Sequence, residues 1–174
     1  MHNQVTLAEP TVELASQYLA FYEEWLAGGE IFVPWVIGID PADFAAMVRY
    51  LQDNADGVIL KEGWVPSSTY WLVNADSKVV GAVNIRHRLT GKLLQSGGHI
   101  GYGILRSERR KGLATELLRQ ALLKAGGLGI TKALVVCDDS NIASERTIRR
   151  NGGVEDSSYI EEDGNVIRRF WIET

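Results

Sequence analysis

The sequence predicts a mixed α/β domain in which helices pack around one central sheet, and three observations favour this fold class. Apolar residues recur at helical spacing before residue 60. Segments rich in β-branched residues follow one another between residues 70 and 105. The remainder alternates strand-like and helix-like segments and closes with a hairpin signal. A chain of 174 residues has the length of one domain, and we expect residues 1–174 to form a single one.

The first third of the chain predicts two helices. A segment over residues 11–27 carries apolar residues at helical spacing and is followed by two glycines, which commonly end helices. Its apolar stripe comprises Ala15, Tyr18, Leu19, Tyr22, Trp25 and Leu26. A second helix is predicted from Asp40 to about Asn54, because an N-cap residue is followed by proline. An aromatic loop over residues 31–35 joins the two helices.

After residue 64 the pattern becomes that of strands separated by two helices. A helix is predicted over residues 112–125, because its apolar residues fall on one face. A shorter helix is predicted over residues 141–151, because a glycine pair follows it. The strands are predicted over residues 70–74, 79–88, 99–105, 132–137, 154–160 and 166–172. The last two strands form a hairpin across an Asp-Gly-Asn turn.

Composition excludes several classes of protein. Apolar residues make up 45% and charged residues 23%, which is typical of a globular chain and not of a disordered one. No apolar run approaches the ~20 residues of a membrane span, and the N-terminus lacks the pattern of a signal peptide. Cys137 is the single cysteine, so no internal disulfide can form, and we expect a cytoplasmic location. The three histidines have no cysteine partners at ligand spacing, so we expect no metal site.

Charge is distributed unevenly along the chain. Residues 1–60 contain nine acidic residues and one basic residue, a net charge of −8, whereas the whole chain has a net charge of −4. An acidic first third argues against nucleic-acid binding, which needs a basic surface. It suits a cationic partner, although the acids also fit two solvated helix faces that contact no partner.

The segment over residues 101–115 carries the chemical signal. A strand ends, a basic loop follows, and a helix begins near Gly112, whose small size lets an anion approach the backbone. Unpaired N–H groups at a helix N-terminus bind phosphate oxygens, and basic side chains add positive charge to this loop. The simpler alternative is a solvated turn. Neither the Walker pattern nor the three-glycine dinucleotide fingerprint is present in this loop.

These residues resemble the GNAT superfamily of N-acetyltransferases. The family signature is Arg or Gln, two residues, Gly, one residue, and then Gly or Ala; here it is matched by Arg109, Gly112 and Ala114. A second family feature is an Asn, a small residue three positions later, and a Gly that ends a short helix; here it is matched by Asn141, Ser144 and Gly152. The order of elements also agrees over about residues 5–172.

The resemblance implies a mostly antiparallel central sheet flanked by helices, with the fourth and fifth strands splayed apart to admit acetyl-CoA. The pyrophosphate of acetyl-CoA would bind the backbone amides of Arg109, Arg110, Lys111, Gly112, Leu113, Ala114 and Thr115. The pantetheine arm would pair with the backbone of Tyr102, Gly103 and Ile104, while Asn141 and Ser144 would also contact the cofactor. A strand glycine permits a bulge or a close backbone approach, and a freed N–H there would stabilise the oxyanion of an acyl transfer.

The catalytic side chains follow the family less closely. Many members have a Tyr general acid seven residues after the Asn, where this chain has Ile148. Ser144 is the expected substitute, with a helix-capping role as the alternative. The base is expected to be His99 or an acid from the N-terminal helices. An acyl-enzyme at Cys137 is a further alternative, although a small buried apolar residue is the simpler interpretation.

The resemblance therefore predicts an acetyl-CoA-dependent N-acetyltransferase that acts on a small-molecule or peptide amine by direct attack in a ternary complex. One alternative is an acyl-CoA-binding sensor without turnover, and another is transfer of a longer acyl group. The acceptor site is expected beside the first two helices, with Phe32, Trp35 and Trp64 as lining candidates. The closing hairpin would supply the edge of a homodimer. The identity of the acceptor stays open.

Overall fold

The computed structural model describes residues 4–58 and 60–174. Its seven strands are Val5–Ala8 (β1), Ser67–Asn74 (β2), Val79–Arg86 (β3), Ile100–Ile104 (β4), Lys132–Asp138 (β5), Val154–Ile160 (β6) and Val166–Glu173 (β7). The four α-helices are Ala15–Gly28 (α1), Phe44–Asp56 (α2), Leu113–Gly127 (α3) and Ile142–Arg150 (α4). None of the helices in this described part of the chain has the length and hydropathy of a membrane span.

The strands form two sheets that separate between β4 and β5. The first sheet has the order β1-β2-β3-β4 and the second β5-β7-β6, with antiparallel neighbours throughout. Across the described residues no ladder joins β4 to β5, and the two strands meet where the His99 N–H donates to the Leu134 carbonyl at 2.7 Å. The predicted mixed α/β fold with splayed fourth and fifth strands is therefore confirmed.

Each face of the split sheet has its own apolar core. The α3 side buries Leu117, Leu118 and Ile148 against strands of both sheets. The opposite side packs α1 and α2 on the first sheet around Tyr18 and Trp71, whose rings stack at 4.3 Å between centroids. Trp25, which the sequence places on the apolar stripe of the first helix, and Trp71 are both buried.

The N-terminal elements differ most from the prediction. The strand Val5–Ala8 was not expected, because four residues give too short a pattern to separate from a loop. The first helix buries Tyr18, Phe21 and Trp25, whereas Leu26 is 56% exposed. The buried side chains lie three and seven positions apart, so Phe21 belongs to the stripe and Leu26 lies beside it. The second α-helix begins at Phe44, because Asp43 and not Asp40 accepts the capping bond, from the Ala46 N–H.

Candidate active site

The loop between β4 and α3 exposes backbone N–H groups. Gly112, the N-cap of α3, has the left-handed φ of +78°, and Arg110 has a positive φ of 64°. The first intrahelical bond runs from the Glu116 N–H to the Gly112 carbonyl, and no side chain caps this end among the described residues. The N–H groups of residues 113–115 therefore remain available to an anion. A Cβ placed on Gly112 would have no heavy atom within 4 Å, so the approach to these groups is open.

The basic side chains of this loop do not all face an anion. The Arg109 guanidinium donates to both carboxylate oxygens of Glu30, at 2.9 and 2.6 Å, and its Nε donates to the Ile104 carbonyl at 3.0 Å. The hydrogen bond from Arg109 lowers the pKa of Glu30. Lys111 is paired with Glu108 at 2.8 Å. The side chain of Arg109 thus ties this loop to the α1–α2 connection. Its backbone N–H donates to the Arg106 carbonyl at 3.4 Å, so the Arg109 amide is not free for the predicted pyrophosphate contact in this structure.

Backbone N–H groups of β4 face the gap between β4 and β5. The Leu105 N–H donates to the Val80 carbonyl of β3 at 2.9 Å, and strand N–H groups alternate in direction. The N–H groups of Tyr102 and Ile104 therefore point away from β3 and into the gap. The β3–β4 register runs without a shift from Ile85 to Gly81, so the bulge that glycine would permit is not formed between these strands.

The two glycines of β4 serve the packing of the α1–α2 connection to different degrees. A Cβ on Gly103 would lie 2.0 Å from the Val33 carbonyl oxygen and 2.7 Å from Trp25. A Cβ on Gly101 would meet only Pro34, at an ordinary 3.6 Å. The close backbone approach expected at Gly103 is therefore made by the protein's own loop. This contact brings the connection onto the face of β4 opposite α3.

A cluster of hydroxyl and thiol groups lies on the α3 side of the gap. The Tyr102 Oη of β4 lies 2.9 Å from the Ser144 Oγ at the start of α4. The Asn141 side chain caps α4 by accepting from the Ser144 N–H at 3.1 Å. Thr147 and Cys137 lie near enough to this pair to influence the pKa values of the cluster. The family resemblance predicts Asn141 and Ser144 near the cofactor, but nothing in the sequence indicates that Tyr102 contacts Ser144.

Burial keeps the ionisable groups of this cluster protonated at neutral pH. It raises the pKa of Tyr102 to about 12 and that of the Cys137 thiol to about 11. A protonated thiol is a poor nucleophile, so this environment disfavours an acyl-enzyme at Cys137. Ile148, which occupies the usual position of the general acid, is fully buried in the core.

His99 is part of the junction between the two sheets. Its Nδ1 accepts a hydrogen bond from the Leu134 N–H at 2.9 Å, and the residue is buried. Burial, together with the charge of Arg86, lowers the pKa of His99. Because Nδ1 accepts, the neutral ring carries its proton on Nε2 and offers no free acceptor nitrogen. This geometry favours a structural role, and the role of His99 as a base stays a prediction.

The aromatic side chains expected at the acceptor site divide into two groups. Trp35 and Trp64 meet edge to face with centroids 4.8 Å apart, whereas Phe32 stacks on Tyr22 instead. The Lys61 ammonium lies 5.0 Å from the Trp64 ring centroid. A cavity of about 490 Å³ lies elsewhere, between α1, the β2–β3 turn and residues 105–108, and contains none of the predicted site residues.

The comparison with protein families agrees with this arrangement of loop, helix and gap. The family described as an acetyltransferase (GNAT) domain matches residues 5–154. The chain belongs to the GNAT acetyltransferase family. This membership confirms the predicted family and the enzyme class, an acetyltransferase with acetyl-CoA as donor. The predicted site residues are not tested by it.

Solved structures share the fold at low sequence identity. The microcin C7 self-immunity acetyltransferase MccE, solved with acetyl-CoA and AMP, is 15% identical with a TM-score of 0.69 over 100% of this chain and 94% of its own. A chimera of the spermidine N-acetyltransferase SpeG from Vibrio cholerae and hSSAT is 14% identical with a TM-score of 0.67, over 98% and 95%. No curated protein sequence matches this chain significantly.

Proposed function

We propose that the protein transfers the acetyl group of acetyl-CoA to a primary amine by direct attack in a ternary complex. The observation that carries this proposal is the gap between β4 and β5, which the Tyr102 and Ile104 N–H groups face and which has the Ser144 hydroxyl on its α3 side. The open N-terminus of α3 follows β4 directly, so one extended ligand can contact both features.

In this proposal the chain binds the cofactor mainly through its backbone. The amides of residues 110–115 hold the pyrophosphate, and Gly112 keeps their approach open. The backbone of residues 102–104 pairs with the pantetheine arm through the N–H groups of Tyr102 and Ile104, which face the gap. The N–H groups that face the gap stabilise the negative charge that develops on the thioester oxygen. Ser144 donates a hydrogen bond to the sulfur, and Asn141 fixes its backbone by capping α4.

Direct attack is favoured over an acyl-enzyme because Cys137 is buried and protonated. Its pKa is raised to about 11, which leaves little thiolate at neutral pH. The Cys137→Ala variant is therefore expected to keep acetyl transfer. Parallel lines in double-reciprocal plots of initial rate against one substrate, at several fixed concentrations of the other, would instead indicate a ping-pong reaction and contradict this part of the proposal.

The acceptor is proposed to be an amine that carries a second positive charge. Residues 1–60 have a net charge of −8, and the α1–α2 connection lies on the β4 face where an acceptor would approach. Part of this charge is used inside the protein, since Glu30 binds Arg109 and Asp43 caps α2. Asp40 and Glu24 also accept hydrogen bonds, from the Ala42 N–H and the Ser107 hydroxyl. Exposed acids such as Glu13 and Glu23 attract cations.

The test is an acetyl-CoA consumption assay with thiol release as the readout. The panel contains spermidine, a monoamine, an amino acid and a peptide with a free N-terminus. We expect thiol release that depends on the amine and is fastest for spermidine. Binding of acetyl-CoA without release for any amine would favour the sensor alternative, and equal release with and without amine would indicate hydrolysis.

A further inference from the structure

We propose that Tyr102 is the positioning residue that turns the Ser144 hydroxyl hydrogen toward the sulfur of the leaving CoA, an inference that rests on the proposed function. The observation behind it is the 2.9 Å contact between Tyr102 Oη and Ser144 Oγ, which bridges β4 and α4. The contact joins residues 42 positions apart in the sequence. It supplies a phenol to this site from β4, whereas the α4 position that would carry a tyrosine holds the buried Ile148.

The direction of the hydrogen bond follows from the acidity of the two groups. A phenol is a stronger donor than an aliphatic hydroxyl, so Tyr102 donates and Ser144 Oγ accepts. The Ser144 hydrogen is then free to point elsewhere. The sulfur of the leaving CoA, when it lies in the gap, would accept this hydrogen bond.

Burial strengthens the two successive hydrogen bonds, from Tyr102 to Ser144 and from Ser144 to the sulfur. Tyr102 packs against the core beside α3, so its hydroxyl competes little with water for partners. Hydrogen bonds in sequence polarise one another in such surroundings, which makes the Ser144 hydrogen a better donor than an isolated serine. A serine hydroxyl alone is a weak acid. The Tyr102 phenol thus strengthens the Ser144 hydroxyl as a hydrogen-bond donor.

The chemical step balances without proton transfer from Tyr102. The carbon–sulfur bond of the thioester breaks and its electron pair stays on sulfur as a thiolate, while the acetyl carbon keeps its new bond to nitrogen. The Ser144 O–H···S hydrogen bond stabilises that thiolate. The amide nitrogen gives its surplus proton to water, and the thiolate takes a proton from water on release. Tyr102 remains protonated throughout.

The test uses the product CoA as the probe, so it does not depend on the identity of the acceptor. The pKa of the bound CoA thiol is measured by a pH titration of thiolate absorbance, from which the absorbance of the protein without CoA is subtracted. A hydrogen bond to the thiolate lowers this pKa below that of free CoA. Tyr102→Phe and Ser144→Ala are each expected to raise it by roughly half to one pKa unit. The double variant is expected to shift it no further than Ser144→Ala alone.

Two further variants separate positioning from packing. Tyr70→Phe, which removes another buried phenol hydroxyl in the same core, is expected to titrate like the wild type. Replacement of Tyr102 with 3-fluorotyrosine keeps the size but makes the phenol a stronger donor, so the thiol pKa is expected to fall below the wild-type value. This variant also serves if Tyr102→Phe does not fold.

The outcomes are distinct for this inference and for the proposed function. A Tyr102→Phe variant that titrates like the wild type, or shifts of Tyr102→Phe and Ser144→Ala that add in the double variant, would overturn the positioning role. A bound thiol with the pKa of free CoA would overturn it too, while leaving the cofactor site intact. If the wild type does not bind CoA at all, the proposed function fails, and the inference with it.

Discussion

Replacing Gly103 with alanine is expected to destabilise the protein because the new methyl group would enter the α1–α2 connection. Its carbon would lie 2.0 Å from the Val33 carbonyl oxygen and 2.7 Å from Trp25, against an ordinary separation of ~3.5 Å. The nearest atom belongs to backbone and cannot rotate away, so the loop has to move by roughly 1.5 Å to restore a normal contact. Overpacking of this kind costs about 1–3 kcal/mol, and we expect a loss near the upper end.

Thermal unfolding measures this loss, and the chain supplies a matched control. A loss of about 3 kcal/mol corresponds to a fall in Tm of roughly 6–12 °C for a domain of this size. Gly101→Ala lies two residues away on the same strand and face, and its methyl group would meet only Pro34 at 3.6 Å. That variant is expected to keep or slightly raise Tm, since alanine restricts the unfolded chain. Equal melting temperatures for the two variants would refute this account of Gly103.

Three further predictions concern the cofactor loop, the sheet junction and the acidic segment. Gly112→Val is expected to abolish the rise in Tm that acetyl-CoA gives the wild type. The control Gly129→Val changes a glycine whose φ is also left-handed and whose surroundings are also open; it is expected to lower Tm but to keep the rise on addition of acetyl-CoA. His99→Asn is expected to make Tm less sensitive to acid. Burial lowers the pKa of His99 in the folded protein. Neutral His99 therefore contributes stability above the unfolded pKa of ~6.5, and this stability is lost as the pH falls toward the folded pKa. Thermal melts at a series of pH values measure the effect, and a variant whose Tm depends on pH as steeply as that of the wild type contradicts it. The specificity constant for spermidine is expected to fall more steeply with salt than that for a monoamine, because exposed charges interact over only ~10 Å at ~0.1 M salt. The same dependence on salt for both amines would mean that the acids face away from the acceptor.

Local patterns accounted for most of the fold and for the backbone part of the site. The helix that begins after Gly112 and the cap at Asn141 are set by residues within four positions of each other. Such signals are visible in sequence because the interacting groups are neighbours along the chain. The splay between the strands followed from the family resemblance, since no local pattern encodes it.

The side-chain geometry of the site depends on contacts between distant segments. Arg109 carries part of the family signature, yet its guanidinium binds Glu30, 79 residues away. The Tyr102–Ser144 contact and the His99–Leu134 junction are likewise long-range. Composition and spacing do not say which side chains meet across the core, so the roles of these residues could only be assessed from the fold.

In the proposed reaction the protein moves one acetyl group from acetyl-CoA to an amine. The most direct measurement is the stoichiometry of the reaction with spermidine, with acetylated product measured by mass spectrometry and free thiol measured in the same sample. We expect one acetylated amine for each thiol released, over many turnovers per protein, in the wild type and in Cys137→Ala. Bound acetyl-CoA that yields no acetylated product with spermidine or any other amine of the panel would contradict it.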